Sequence, residues 1–98
     1  MEIIKNKNGK AFTIALVGRL DTTTAPQLEA VVTSELGGVT ELTYDFEKLE
    51  YISSAGLRVL LASQKIMNKQ GSMVVTHVND DINEVFEITG FADILTIQ

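Results

Sequence analysis

Apolar and polar positions alternate with a period of two in two stretches of the chain. Phe12, Ile14 and Leu16 alternate with Thr13 and Ala15, which predicts a strand with one buried face, running to about Val17. Leu42, Tyr44 and Phe46 alternate with Glu41, Thr43 and Asp45 and predict a second strand of the same kind. Ile3 to Lys5 forms a short apolar start. Between it and Phe12 stands Asn8-Gly9, a hairpin signal because both residues tolerate positive φ. Ser72 to Val78 is rich in β-branched residues and reads as a strand, and Ile94 to Ile97 predicts a final short one.

Elsewhere the period becomes helical. Within Thr22 to Leu36, the residues Leu28, Val31, Val32 and Leu36 fall on one face. Thr24 with Gln27 has capping-box spacing, Pro26 suits a first turn, and Gly37-Gly38 ends the helix. Ser54 to Gln70 carries Leu57, Val59, Leu60, Leu61, Ala62 and Ile66 over a broad apolar surface and stops at Gly71. Asn79 or Asp80 caps a short helix that turns Ile82, Val85 and Phe86 inward and ends at Gly90. The order is β-β-α-β-α-β-α-β. It predicts a single small α/β domain over residues 1–98. An antiparallel hairpin opens a mixed sheet, right-handed parallel crossovers follow, and helices pack on the sheet.

Composition narrows the function. The chain has 98 residues, 45% apolar and 21% charged, as in an ordinary globular domain. There is no cysteine, which excludes a disulfide framework, a thiolate zinc site and a cysteine nucleophile. Eight Lys and Arg against thirteen Asp and Glu give a net charge of −5, which disfavours nucleic acid and anionic membrane as partners. The single histidine, His77, reads as an ordinary polar residue in or just after a strand. No Walker or dinucleotide glycine loop and no Gly-x-Ser-x-Gly elbow occurs, so the expectation is no enzyme, no cofactor and no metal. Met1 leads straight into Glu2, Ile3, Ile4 and Lys5 without a signal peptide, and a cytoplasmic protein is expected.

Two strand-to-helix turns are the candidate sites. In Tyr51-Ile52-Ser53-Ser54-Ala55-Gly56-Leu57-Arg58, a strand and short loop lead into small residues that open a helix. The unpaired N–H groups there favour an anion, so a serine at this position is either a cap or a tolerated place for a phosphate. Gly18-Arg19-Leu20-Asp21-Thr22-Thr23-Thr24 is the second turn. In a parallel sheet both turns open on the edge where α/β folds place ligands, with Asp21 near Ser54. Asp21 and the threonines read equally as the cap of the first helix. Asp45 is either a solvent-facing strand residue or a carboxylate at the same edge. Tyr51 and Phe91 are either core aromatics or exposed anchors.

Three segments together carry a family resemblance. Leu49-Glu50-Tyr51-Ile52-Ser53-Ser54-Ala55-Gly56-Leu57-Arg58-Val59-Leu60-Leu61 resembles the signature loop and helix of the STAS domain, the fold of bacterial anti-sigma factor antagonists. Gly18-Arg19-Leu20-Asp21-Thr22-Thr23-Thr24-Ala25 looks like that family's Gly-x-Leu-Asp turn, and Val85-Phe86-Glu87-Ile88-Thr89-Gly90-Phe91 like its C-terminal helix and stop. The resemblance implies a partner switch. The unphosphorylated antagonist would bind an anti-sigma factor of ATPase fold with serine kinase activity and so release the sigma factor. Phosphorylation with Mg·ATP would end the complex, and a metal-dependent serine phosphatase would restore it. The position matching the phosphoacceptor is Ser54, two residues before Gly56. Ser53 and Ala55 stand where many members have Asp and Ser or Thr, which makes Ser53 the alternative acceptor. Asp21, Thr22, Thr23, Asp45, Ser53, Ala55, Gly56, Leu57 and Arg58 are implied as phosphosite neighbourhood and partner surface. Two other roles fit the resemblance: an adaptor without a phosphoswitch, in a lipid-transport or signalling complex, and a nucleotide-binding module.

Overall fold

A computed structural model describes residues 1–98. Its sheet has four strands in the order β1-β2-β3-β4: β1 Glu2–Asn8, β2 Ala11–Leu20, β3 Glu41–Ile52 and β4 Ser72–Thr76. The first pair is antiparallel and the other two are parallel. Three helices alternate with the later strands: α1 Ala25–Glu35, α2 Ser54–Gln70 and α3 Asp80–Thr89. The crossovers β2-α1-β3 and β3-α2-β4 advance in the same direction across the sheet, so right-handed connections set α1 and α2 on one face.

The burial pattern follows that two-layer arrangement. Phe12, Ile14 and Leu16 of β2 and Leu42, Tyr44 and Phe46 of β3 are buried, as their alternation predicts. Ala11, Thr13, Ala15 and Val17 face the other way and remain half-buried. From α2 the core takes Leu57, Val59, Leu60 and Met67, and from α3 it takes Ile82 and Phe86. Tyr44 is fully buried, and its hydroxyl lies 2.8 Å from Ser63 Oγ, which in turn donates to the Val59 carbonyl. This chain of bonds joins the middle of the sheet to α2. The far end of α2 is held by Gln70, whose side-chain amide donates to the carbonyls of Leu36 and Val39.

Several element boundaries differ from the sequence expectation. The hairpin loop is Gly9-Lys10, since Asn8 pairs with Ala11 as the last residue of β1. Gly9 has φ +63° and Lys10 does not have positive φ, the glycine-first pattern of a type II′ loop. The capping box of α1 does not form: the Thr24 side chain makes no cap bond to the helix. Strand β3 continues six residues past Phe46, because the pairing with β2 shifts register between Ala15 and Val17 and again between Gly18 and Arg19. These bulges absorb one extra residue of β3 each, at Glu47 and at Glu50, so the strand continues through the break in alternation and no loop precedes Ser53.

The predicted last strand is also absent. Gly90, at φ +82°, ends α3 and leads into a 3-10 turn at Phe91–Asp93. Hydrogen bonds from the N–H groups of Asp93, Ile94 and Leu95 keep the chain coiled there. Only Ile97 reaches the sheet, through one parallel bridge to Val75.

Burial pushes the Tyr44 phenol well above its ordinary value near 10. A raised folded-state value means its contribution is complete below the unfolded value and lost as pH rises past it. Chemical denaturation of the wild type is expected to show stability falling above about pH 10, where the unfolded phenol ionises. Tyr44→Phe leaves Ser63 bonded to Val59, is expected to cost about 1 kcal/mol at neutral pH, and should lose that part of the alkaline slope.

Candidate functional site

The site is built where two parallel strands end together. Leu20 of β2 pairs with Ile52 of β3, and the next residue on, Ser53, donates its N–H to the Leu20 carbonyl at 2.9 Å. The Asp21–Thr24 turn and the Ser53–Ser54 turn are therefore neighbours at the C-terminal edge of the sheet. This is the edge where open α/β sheets place ligands.

Asp21 organises the first turn. Its Oδ1 accepts from the N–H groups of Thr23 and Thr24 at 3.0 and 3.1 Å and from the Thr23 hydroxyl at 2.7 Å. The Thr24 hydroxyl donates to the Arg19 carbonyl at 2.8 Å and accepts from the Asp21 N–H. The Thr23 hydroxyl bond is the main reason the Asp21 carboxyl lies below the usual carboxylate range. Partial desolvation opposes it, and the remaining bonds from Thr23 and Thr24 reinforce it. Asp21 thus fixes the turn that leads into α1: its side chain holds Thr23 and Thr24, its carbonyl accepts from the Ala25 N–H, and it makes no side-chain cap bond to the helix itself. Thr22 and Thr23 are exposed beside it.

The two serines of the second turn have different surroundings. Ser53 is the N-cap of α2: it is half-buried, its Oγ faces the Gly56 N–H at 3.5 Å, and its carbonyl accepts from Leu57. Ser54 is the first helical residue, is exposed, and takes no part in the cap. Ala55 is half-buried and Gly56 buried. A Cβ on Gly56 would lie 2.7–2.9 Å from Leu20 and Ile52 side-chain carbons, so only glycine lets α2 sit this close to the two strand ends. Leu57, 6% exposed, belongs to the core, so neither it nor Gly56 offers surface to a partner. Arg58, one turn along α2, is exposed. It lines a groove of about 280 Å³ between α1 and α2, together with Thr22, Ala25, Pro26, Glu29 and Ala55.

Arg19 and Tyr51 complete the edge. Their register pairing places the Arg19 guanidinium 4.2 Å from the centre of the Tyr51 ring, and both side chains are exposed. Tyr51 is therefore a surface aromatic, not part of the core. Nothing in the composition marks this pair, because it depends on a register set by two bulges.

Asp45 does not join the site. It pairs with Ala15 and Thr76, seven residues before Ile52, and a strand of that length spans roughly 20 Å. Of its two readings, the strand residue away from the edge is the one the register gives, because β3 runs on past Phe46. Its Oδ1 instead lies 3.0 Å from Nδ1 of His77, which follows β4 at φ +57°. Ligand-type atoms of Asp45, Glu47 and His77 come within 4.8 Å of one another, on residues that are exposed or half-buried.

Gly56→Ala is expected to destabilise the fold by about 1–3 kcal/mol in denaturant titration, because the new methyl must displace Leu20 or Ile52. The amide resonances of Ser53 to Leu57 should move more than those of α3. A variant of unchanged stability would mean that α2 shifts without cost.

Comparison with known proteins agrees with this geometry. The family model described as Mlab, STAS domain matches residues 3–96. BtrV of Bordetella bronchiseptica, named for an anti-sigma factor antagonist, is 34% identical over 99% of this chain and 85% of its own. The anti-sigma-B factor antagonist of Staphylococcus aureus is 30% identical over 91% of this chain and 84% of its own. The anti-sigma factor antagonist SpoIIAA has been solved unphosphorylated and, from Bacillus, phosphorylated. It superposes with TM-scores of 0.79 and 0.78 at 20% identity, over 99% of this chain and 87% and 91% of the solved chains. With its two strand-end turns, its serine-capped α2 and these relatives, the chain belongs to the STAS domain family.

Proposed function

We propose that this chain is an anti-sigma factor antagonist switched by phosphorylation of Ser54. In the unphosphorylated form, the edge built by the two turns binds an anti-sigma factor that is also a serine kinase of ATPase fold, and the sigma factor is released. The kinase transfers phosphate from Mg·ATP to Ser54 and the complex ends. A metal-dependent serine phosphatase resets the chain. The protein has no catalytic role in this cycle.

One observation carries the reading: the cap of α2 and the exposed hydroxyl are on different serines. Ser53 holds the helix start, so Ser54 can be modified without removing that cap. A phosphate there adds about −1.5 to −2 charges on the surface beside Arg19, Tyr51 and Arg58. Placed within a desolvated contact, such a charge opposes binding strongly. The names of the curated relatives support the antagonist role, and a structural relative solved in phosphorylated and unphosphorylated forms supports the switch. Asp21, Thr22 and Thr23 would support the acceptor by fixing the neighbouring turn. No helix is long and apolar enough to cross a membrane, which fits a partner in solution.

Tagged protein incubated in source-cell lysate with Mg·ATP and recovered for peptide mapping is expected to carry one phosphate on Ser54, with an ATPase-fold protein bound. Ser54→Ala should keep that partner, and Ser54→Asp should weaken it at least about tenfold in titration calorimetry. A phosphate on Ser53 would move the acceptor by one residue. Equal binding by both variants, with no phosphate found, would replace the switch with a constitutive adaptor.

A further inference from the structure

We propose that Arg58 is the internal counter-ion of a phosphate on Ser54, and that its capture withdraws the guanidinium from the α1–α2 groove. The inference deepens the reading above and rests on Ser54 as the acceptor. Ser54 and Arg58 are four residues apart in α2, so they lie one above the other on the same face of the helix. Residues at this spacing have Cβ atoms roughly 5–6 Å apart, within reach of a phosphoserine and an arginine. An acid placed N-terminal to a base is also the more favourable order.

The chain has only two arginines, and both stand at this edge. They are not equivalent. Arg19 is stacked on Tyr51, and its Nε lies 3.8 Å from the Asp21 carboxylate. Arg58 is exposed and forms no ion pair. Glu29 shares the groove with it but lies beyond ion-pair distance. Other charged groups toward the edge are Asp21, in the turn before α1, Glu50, near the end of β3, the Met1 end of the chain beside Gly18, and Asp80 and Asp81, which follow the Asn79 bonded to the Leu49 carbonyl. Arg58 is therefore the cation free to move. Its planar fork can donate two parallel hydrogen bonds to phosphate oxygens, which a lysine cannot do.

Phosphorylation then changes the surface twice. Negative charge appears at the start of α2, and positive charge leaves the groove lined by Thr22, Pro26 and Glu29. A modification on Ser54 thereby also changes the charge of the neighbouring α1–α2 groove.

The test needs no kinase. Phosphoserine is placed at position 54 during translation, in the full chain, and the phosphate is titrated by phosphorus NMR. Arg58 is expected to hold the second ionisation lower than in Arg58→Ala by about 0.5 unit, roughly threefold in proton affinity. Arg58→Lys should recover only part of that shift, and high salt should reduce it. The Arg58 Nε–H resonance should shift on phosphorylation and return when the phosphate is removed. Identical titration in the wild type and Arg58→Ala, with an unmoved Nε–H resonance, overturns the proposal. That result would leave the phosphoswitch standing if Ser54→Asp still lost the partner. Conversely, a shifted titration with no partner effect would keep the ion pair and remove the switch.

Discussion

Parallel pairing of β2 with β3, carried through to Leu20 and Ile52, is the constraint on which the rest of the molecule depends. Two strands that end in register must release their chains at the same edge, and each chain then turns into a helix on the same face. The Ser53 N–H bond to the Leu20 carbonyl ties those exits together. The Asp21 turn, the Ser53 cap and the Arg19–Tyr51 stack all lie within two residues of this junction. The bulges at Ala15/Val17 and Gly18/Arg19 give β3 the extra residues needed to end level with β2. Without them Ser53 would meet a different partner, and the two turns would be staggered.

The same junction explains the small residues at the start of α2. A helix that begins directly over two strand ends has little room for side chains at its first turn. Gly56 meets that limit against Leu20 and Ile52, and Leu57 fills the core immediately behind it. The polar groups of the turn are consequently met by backbone and short side chains. Ser53 faces an N–H that the start of α2 leaves unpaired, and Asp21 accepts the N–H groups of Thr23 and Thr24 in the turn before α1. Farther from the edge, Tyr44 and Ser63 anchor α2 to the middle of the sheet. The helix is held at both its first turn and its centre, so the position of Ser54 is set by core packing.

Much of this was legible along the chain, and the misses have a common cause. Elements governed by local chemistry were correctly read: α2 spans Ser54–Gln70 and stops at Gly71, Asn79 caps α3, and Gly90 ends it. Alternation located the buried faces of β2 and β3. What local pattern could not show was pairing. The extent of β3 depends on register shifts that Glu47 and Lys48 disguise as a strand end, which left Asp45 open between a mid-strand and an edge position. The last segment, Ile94 to Ile97, has the composition of a strand, but the hydrogen bonds after Gly90 coil its first half and leave only Ile97 to bridge Val75. The first turn shows a subtler competition. Thr24 and Gln27 have capping-box spacing, yet Asp21 takes the Thr24 N–H, the Gln27 N–H bonds the Thr24 carbonyl, and the Thr24 hydroxyl turns back to Arg19. The Arg19–Tyr51 stack was invisible for the same reason as the length of β3: it exists only once the bulges have set the register.

The division of work between Ser53 and Ser54 bears on how a small domain can be regulated at all. A chain with one core has little stability to lose, since domains of this size are held by roughly 5–15 kcal/mol. A charge placed on a residue that also caps a helix or fills the core would alter fold and surface together. Here the cap oxygen belongs to the half-buried Ser53 and the packing atoms to Gly56 and Leu57. Ser54 is left exposed on a helix end whose geometry the sheet has already set. A modification at that position would change the electrostatics of the edge without touching the Tyr44–Ser63 anchor or the strand junction. The physical requirement for a reversible surface signal is this separation of an exposed hydroxyl from the atoms that maintain the fold. Adjacent serines with different hydrogen-bond roles satisfy it within a single turn.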